Sequence, residues 1–331
     1  MAADVAYATL GLVILLLAGD ALVRGAVNVS LRLGVPAFIV SLTIVAFGTS
    51  APEMLISVGA VLEGAPGLAL GNVVGSNTAN ILLVLGVPAL ITTIHTKAVE
   101  TRKDYALMMA ATAYFIVLAF WGSFGWVFGL LLLGALALVL GSQFIDAQNH
   151  RRAEAAAAEA AAAEAAADGG LDDVTELEGA DPEMPWWRIG LFLVLGLIGL
   201  PLGADLLVDS AVNIAEAIGV SETVIGLTLV ALGTSLPELA TTVMAAIRKH
   251  AEVALGNVIG SNMFNLLAIM GVASLFGEIP VDPEFLRFDL WVMAGASLLL
   301  VPFVFKLLDI TRVWGVALTA LYVVYVWTIL S

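Results

Sequence analysis

Residues 48–53 read GTSAPE and residues 233–238 read GTSLPE; residues 71–80 read GNVVGSNTAN and residues 256–265 read GNVIGSNMFN. Both pairs lie 185 positions apart, and at that offset residues 42–86 and 227–271 agree at 22 of 45 positions without a gap. The same offset pairs Asp20 with Asp205 and Asn28 with Asn213. The chain therefore carries two copies of one unit, and each copy holds a glutamate, two hydroxyl residues and a proline inside an apolar run.

The surrounding sequence sets the medium. Of 331 residues, 61% are hydrophobic and 12% charged, with a mean hydropathy of +1.03. A soluble domain is about half apolar and about a quarter charged, so a water-soluble globule is excluded. A membrane-spanning helix needs roughly 20 apolar residues. The apolar runs predict helices over 5–33, 36–61, 67–93, 104–121 and 125–145, then over 187–217, 222–247, 252–275, 288–306 and 312–330. Five is odd, so two five-helix halves enter the membrane from opposite sides. The reading is an all-α integral membrane protein of ten transmembrane helices, arranged as two inverted-topology repeats (1–146 and 187–331), as in many secondary transporters. The first run lacks a basic n-region and carries Asp20 and Arg24, so it reads as a retained helix rather than a cleaved signal.

Between the repeats, residues 147–186 form an acidic Ala/Glu-rich linker. Ten acidic residues against Arg151 and Arg152 give −8 of the formal −15. The acidity belongs to this linker, and no basic patch invites nucleic acid. Its Ala/Glu half predicts a solvated helix ended by Gly169–Gly170, with a disordered remainder. With the N-terminus outside, twelve of the thirteen Lys and Arg residues fall on the cytoplasmic side and only Arg287 outside. The positive-inside rule then places both termini outside and the linker in the cytoplasm of a cell-membrane protein. There is no cysteine, and His95, His150 and His250 fall in polar stretches. A thiolate site or a histidine at membrane depth is excluded, and with it the usual nucleophile activation of an intramembrane protease. The chain reads as a non-enzyme.

The repeated unit carries the chemistry. Pro52 and Pro237 have no N–H to give the carbonyls of Gly48 and Gly233. Free carbonyls at membrane depth are tolerated only where buried in protein or lining a wet cavity. Thr49 and Ser50 lie four and three residues before Glu53, which predicts that their hydroxyls share its helix face, as Thr234 and Ser235 share that of Glu238. Carbonyl, hydroxyl and carboxylate oxygens together suit a hard cation such as calcium, which takes six to eight oxygens at about 2.3–2.6 Å. Two intramembrane carboxylates at equivalent positions mark function. The next helix of each half puts Asn72, Ser76 and Asn80, and likewise Asn257, Ser261 and Asn265, on one stripe. Asn72 and Asn257 either line the site or lock helices together. Asp20 and Asp205 read as structural or vestibule residues. Gly71, Gly75, Gly256 and Gly260 predict close backbone approach.

These two blocks resemble the α-repeats of the calcium/cation antiporter superfamily, and within it the prokaryotic sodium/calcium exchangers. The resemblance covers both halves, the helix count and the linker. It implies Glu53 and Glu238 as central calcium ligands. The carbonyls of Ala46 and Ala231, with Thr49, Ser50, Thr234, Ser235, Ser76 and Ser261, would complete the calcium and sodium sites, and Asn80 and Asn265 would be the remaining polar members. It also implies electrogenic exchange of several sodium ions for one calcium, with the first helix of each half (5–33 and 187–217) sliding past a fixed core. The transported ions would be the only bound groups, with no cofactor, and one chain contains both half-sites and needs no protein partner. Several members of the superfamily carry Asp where this chain has Asn265. Asn in both repeats leaves two carboxylates at the centre, which argues against potassium cotransport. GTSxPE favours sodium, since proton/calcium exchangers usually have Asn in place of the Thr-Ser pair. The alternative is a proton/calcium antiporter using the same two glutamates. A channel is disfavoured by the inverted repeat and its closed polar cluster.

Overall fold

The computed structural model describes residues 2–97, 99–165, 181, 183–218, 231–305 and 308–330. The described residues form twelve helices: α1 (Ala2–Leu33), α2 (Ala37–Thr49), α3 (Ala51–Leu62), α4 (Pro66–Ile91), α5 (Arg102–Ala119) and α6 (Trp126–Ala165), then α7 (Trp186–Ala217), α8 (Ala231–Thr234), α9 (Leu236–Ile247), α10 (Ala251–Phe276), α11 (Phe285–Phe305) and α12 (Arg312–Leu330). Seven of these are long and apolar enough to cross a membrane, or eight when the bent pair α2–α3 is one span. Of the remainder, α5 opens on three charged residues (Arg102, Lys103 and Asp104). Helix α9 has 12 residues, and residues 222–230 of the expected 222–247 helix lie outside the described residues.

Burial orders the bundle. The most apolar window of α10 is 89% buried and that of α4 72%, against 17–22% for α6, α7 and α12. The two helices that carry the GNV blocks therefore form the centre, packed around Leu70, Val74, Ile81, Leu255, Ile259 and Leu266. The lightly buried helices present apolar side chains outward, as a lipid-facing shell does. Trp186, which also packs under the Arg32 guanidinium, and Trp187 are exposed at the start of α7, as interface aromatics are.

Helix α1 packs antiparallel on α7 through glycines. A Cβ built on Gly11 would lie 2.7 Å from the Leu207 nitrogen, and one on Gly196 would lie 2.6 Å from Leu22 Cβ. Adding 185 turns Gly11 into Gly196 and Leu22 into Leu207, so each contact is the exchanged copy of the other. The pair buries its own apolar cluster, with Leu15, Ala18 and Leu22 against Leu200 and Ala204. The loops repeat the pattern to within one residue. Strand β1 (Ser123–Phe124) pairs antiparallel with β2 (Ile279–Pro280), with Phe124 opposite Ile279, while Ile94 bridges Ile310.

Two elements differ from the expectation. Helix α6 does not stop near 145 but continues unbroken to Ala165, across the boundary drawn at 146/147. No Gly or Pro interrupts residues 142–165, so the apolar span and the Ala/Glu helix propagate as one helix about 60 Å long. The Gly169–Gly170 stop and the acidic remainder lie outside the described residues. The described residues also contain four π-helical turns that the apolar pattern does not predict, at Ser41–Val45, Asn80–Val84, Asn265–Ile269 and Phe285–Asp289.

The glycine contacts give a test within one helix. Gly196→Ala forces α1 and α7 apart and should cost about 1–3 kcal/mol, as overpacking does. Gly190→Ala, with nothing within 4 Å of the new methyl, should cost nothing. Thermal unfolding in detergent should show a lowered midpoint for the first and none for the second.

Candidate functional site

The site is built at two helix breaks. Helix α2 ends at Thr49 and α3 begins at Ala51, bent by 42°. Ser50 sits between them with φ −85° and ψ 4°, and Ser235 stands between α8 and α9 with φ −88° and ψ 3°. Each proline falls in the first turn of the new helix, where its missing N–H costs nothing. Glu53 and Glu238 fall in the same first turn. A helix N-terminus there faces its own carboxylate, while the preceding segment ends in carbonyls that suit a cation.

Both carboxylates are buried, Glu53 at 1% and Glu238 at 0% exposure. Ser50 Oγ donates to Glu238 Oε1 at 3.1 Å. Thr49 Oγ1 lies 3.3 Å from both the Ala46 carbonyl and Asn257 Oδ1. Asn72 Nδ2 donates to the Glu53 carbonyl at 3.2 Å and to Ser57 Oγ at 2.9 Å. Asn257 Nδ2 makes the matching pair, to the Glu238 carbonyl at 3.3 Å and Thr242 Oγ1 at 3.1 Å. Across the centre, Asn77 Nδ2 reaches the Asn262 carbonyl and Asn262 Nδ2 the Asn77 carbonyl, both at 3.3 Å.

Within this network several buried atoms have no hydrogen-bond partner among the described residues. They are Glu53 Oε2, Glu238 Oε2, Ser235 Oγ, Ser261 Oγ, Asn80 Oδ1 and both amide atoms of Asn265, together with Asn77 Oδ1. Oxygens dominate the set. A buried carboxylate oxygen without a donor is expensive, and a cation held between the two glutamates would satisfy both. Ser76 is buried on the Asn72 stripe, and Thr234 is buried with an interaction of its own. Ala46 is buried and its carbonyl accepts from Ser50 N at 3.0 Å. Ala231 opens α8, and its side chain lies outside the described residues.

The family model described as "Sodium/calcium exchanger protein" matches residues 4–145 and 189–331. The chain belongs to the sodium/calcium exchanger protein family. Among relatives, the sodium/calcium exchanger MaX1 of Methanosarcina acetivorans is 34% identical over 96% of this chain and 95% of its own length. The inner membrane protein YrbG of Escherichia coli is 31% identical over 90% of this chain and 86% of its own. The solved structure of the sodium-calcium exchanger NCX_Mj, soaked with 2.5 mM Na+ and 1 mM Sr2+, superposes with a TM-score of 0.78 at 32% identity, covering 98% of this chain and 97% of that one.

In this exchanger the hydroxyls work across the halves. The 42° break turns Ser50 away from the face of Glu53 that uninterrupted helix geometry predicts, and Ser50 bonds Glu238 instead. Asn72 and Asn257 lock helices, and Asn257 also engages Thr49. Gly256 gives the expected close approach, a Cβ there lying 2.7 Å from the Phe38 carbonyl, and Gly260 likewise packs on Leu42. Gly71 and Gly75 meet nothing closer than the Phe285 ring at 3.8 Å among the described residues. Asp20 pairs with Arg24 at 3.0 Å and with Arg248, whereas Asp205 is exposed. Ser57, Thr242, Asn77 and Asn262 were not candidates. The repeat aligns Ser57 with Thr242, a hydroxyl kept through a change of residue, and that was the available signal.

Asn257 is fully buried and anchors three partners, whereas Asn72 is half-buried and anchors two. Asn257→Ala should therefore destabilise by about 1–3 kcal/mol, the usual cost of orphaned buried groups, and Asn72→Ala by less. Thermal unfolding in detergent checks the order.

Proposed function

We propose that this exchanger is a secondary active antiporter that carries sodium and calcium in opposite directions across the cell membrane by alternating access. The observation that carries the reading is the pair of partnerless carboxylate oxygens, Glu53 Oε2 and Glu238 Oε2, inside one buried network of amides and hydroxyls. Two carboxylates give −2, which one calcium or two monovalent cations neutralise. An empty −2 site at membrane depth is penalised by burial. Return without cargo is then disfavoured, which is the condition for exchange rather than leak. The ligand set is Glu53, Glu238, Thr49, Ser50, Thr234, Ser235, Ser76, Ser261, Asn80 and Asn265, with the carbonyls of Ala46 and Ala231. Sodium as the counter-ion rests on the GTSxPE motif and on relatives named as sodium/calcium exchangers.

The architecture in this reading is two inverted five-helix repeats, 1–146 and 187–331, joined by a cytoplasmic linker over 147–186, with both termini outside. Three observations support it. The family match falls into two segments, one per half. The bonds of Asn72 recur at Asn257, 185 residues on. The Asn77–Asn262 contact is its own exchanged copy, as an isologous contact about a two-fold must be.

Alternating access draws on an asymmetry between these copies. A Cβ on Gly19 would lie 3.0 Å from the Ala240 carbonyl, and Ala240 is 6% exposed, so α1 seals against α9. Leu55, which stands 185 residues before Ala240, is 76% exposed. The seal thus stands in one copy while the counterpart position is exposed, and both glutamates stay buried. With the N-terminus outside, the sealed side is the cytoplasmic one. The candidate ligands all sit on α2, α3, α4, α8, α9 and α10 or at the breaks between them. Helices α1 and α7 carry none, which suits a sliding pair.

The test is calcium-45 uptake by sodium-loaded proteoliposomes diluted into sodium-free buffer at fixed pH, beside vesicles with only a proton gradient. Uptake is expected with the sodium gradient alone, and Glu53→Gln or Glu238→Gln should each abolish it. Uptake driven by protons alone would convert the reading to a proton/calcium antiporter, and near-normal rates in either mutant would remove the glutamates from the site.

A further inference from the structure

The orientation of the Asn262 amide is decided by an unambiguous group, a backbone carbonyl. Amide oxygen and nitrogen are assigned from their hydrogen-bond network, and a backbone carbonyl can only accept. The Asn77 carbonyl lies 3.3 Å from the Asn262 amide, so that end is Nδ2, the donor. The Oδ1 of Asn262 is thereby turned to Asn80, and an oxygen there demands a donor. Asn80 supplies its Nδ2 at 3.0 Å. With its nitrogen committed, Asn80 must present its Oδ1 on the other side, where it is buried and has no hydrogen-bond partner among the described residues.

We infer that Asn262 is a positioning residue: through Asn80 Nδ2 it holds Asn80 as an oxygen donor to the transported cation and keeps the amide N–H groups, which would repel a cation, out of the site. Its own amide is committed at both ends, to Asn77 and Asn80, so it does not itself ligate. Asn80 opens the π-helical turn Asn80–Val84, a distortion common at functional sites. The matching relay on the other side is not closed. Asn77, the counterpart of Asn262, donates to the Asn262 carbonyl at 3.3 Å, but its Oδ1 and both amide atoms of Asn265 are without hydrogen-bond partners among the described residues. The two half-sites are thus unlike: the Asn80 amide is held by a hydrogen bond, and among the described residues the Asn265 amide is not.

The inference rests on the calcium transport proposed above, and a double-mutant cycle separates the two. Half-saturating calcium is measured for sodium-driven calcium-45 uptake in proteoliposomes of the full chain, for wild type, Asn80→Ala, Asn262→Ala and the double variant. Loss of a group that orients a metal ligand typically costs about 10- to 100-fold in affinity. Asn262→Ala should therefore raise half-saturating calcium about tenfold or more, with maximal rate changed far less. In the Asn80→Ala background it should add less than about twofold, because the residue it positions is gone. Asn77→Ala keeps the backbone carbonyl that orients Asn262, so it should move half-saturation less than about twofold while lowering thermal stability. If Asn262→Ala yields no folded protein, Asn262→Leu, of similar shape and without the oxygen, takes its place in the cycle. Equal effects of the Asn262 variant with and without Asn80, or no change in half-saturation, would overturn the inference and leave the transport reading standing. A wild type that moves no calcium would overturn both.

Discussion

Two carboxylates held out of water and near each other are the constraint to which the rest of this molecule answers. Among the described residues neither Glu53 nor Glu238 pairs with a lysine or arginine, and each keeps one oxygen without a donor. Burying such a pair is unfavourable by several kcal/mol per ion unless positive charge completes it. What surrounds them is consistent with a cation as that completion. Two helix N-termini face the carboxylates, two broken helix ends supply carbonyls, and amides and hydroxyls turn oxygens inward.

The breaks make this possible. A continuous helix through residues 46–53 would place Thr49, Ser50 and Glu53 on one face and leave each half of the chain with its own small site. The bend at Ser50 instead sends the hydroxyls of one half to the other, Ser50 to Glu238 and Thr49 to Asn257. One shared site results, and it requires α10 to lie against the backbone of α2, which Gly256 permits. Packing and chemistry are thus the same requirement at this point. The paired helices α1 and α7 bury an apolar cluster mainly against each other, with Val40, Val45 and Ala240 packed onto it.

Much of this was legible in the chain, because the repeat doubles every signal. An apolar run alone gives a span, but GTSAPE and GTSLPE at a fixed offset give a candidate site and a family, and the family model matches both halves. The helix end at 247 follows from the polar Arg248-Lys249-His250 that the sequence states openly. What was not legible depends on the third dimension. The direction of Ser50 follows from a bend that proline announces without giving its angle. The role of Asn262 depends on a carbonyl of the other half, which no spacing rule reaches. The length of α6 was misjudged because the end of the apolar run was taken for the end of the helix, whereas Ala and Glu continue a helix into water as readily as leucine does in lipid.

The most direct measurement is long-wavelength anomalous scattering from crystals of the chain soaked in calcium without sodium. The account predicts one strong peak between the two glutamates, with Glu53 Oε2 and Glu238 Oε2 both at about 2.3–2.6 Å from the ion. A peak coordinated by only one glutamate, or two separate peaks each held within its own half, would contradict it.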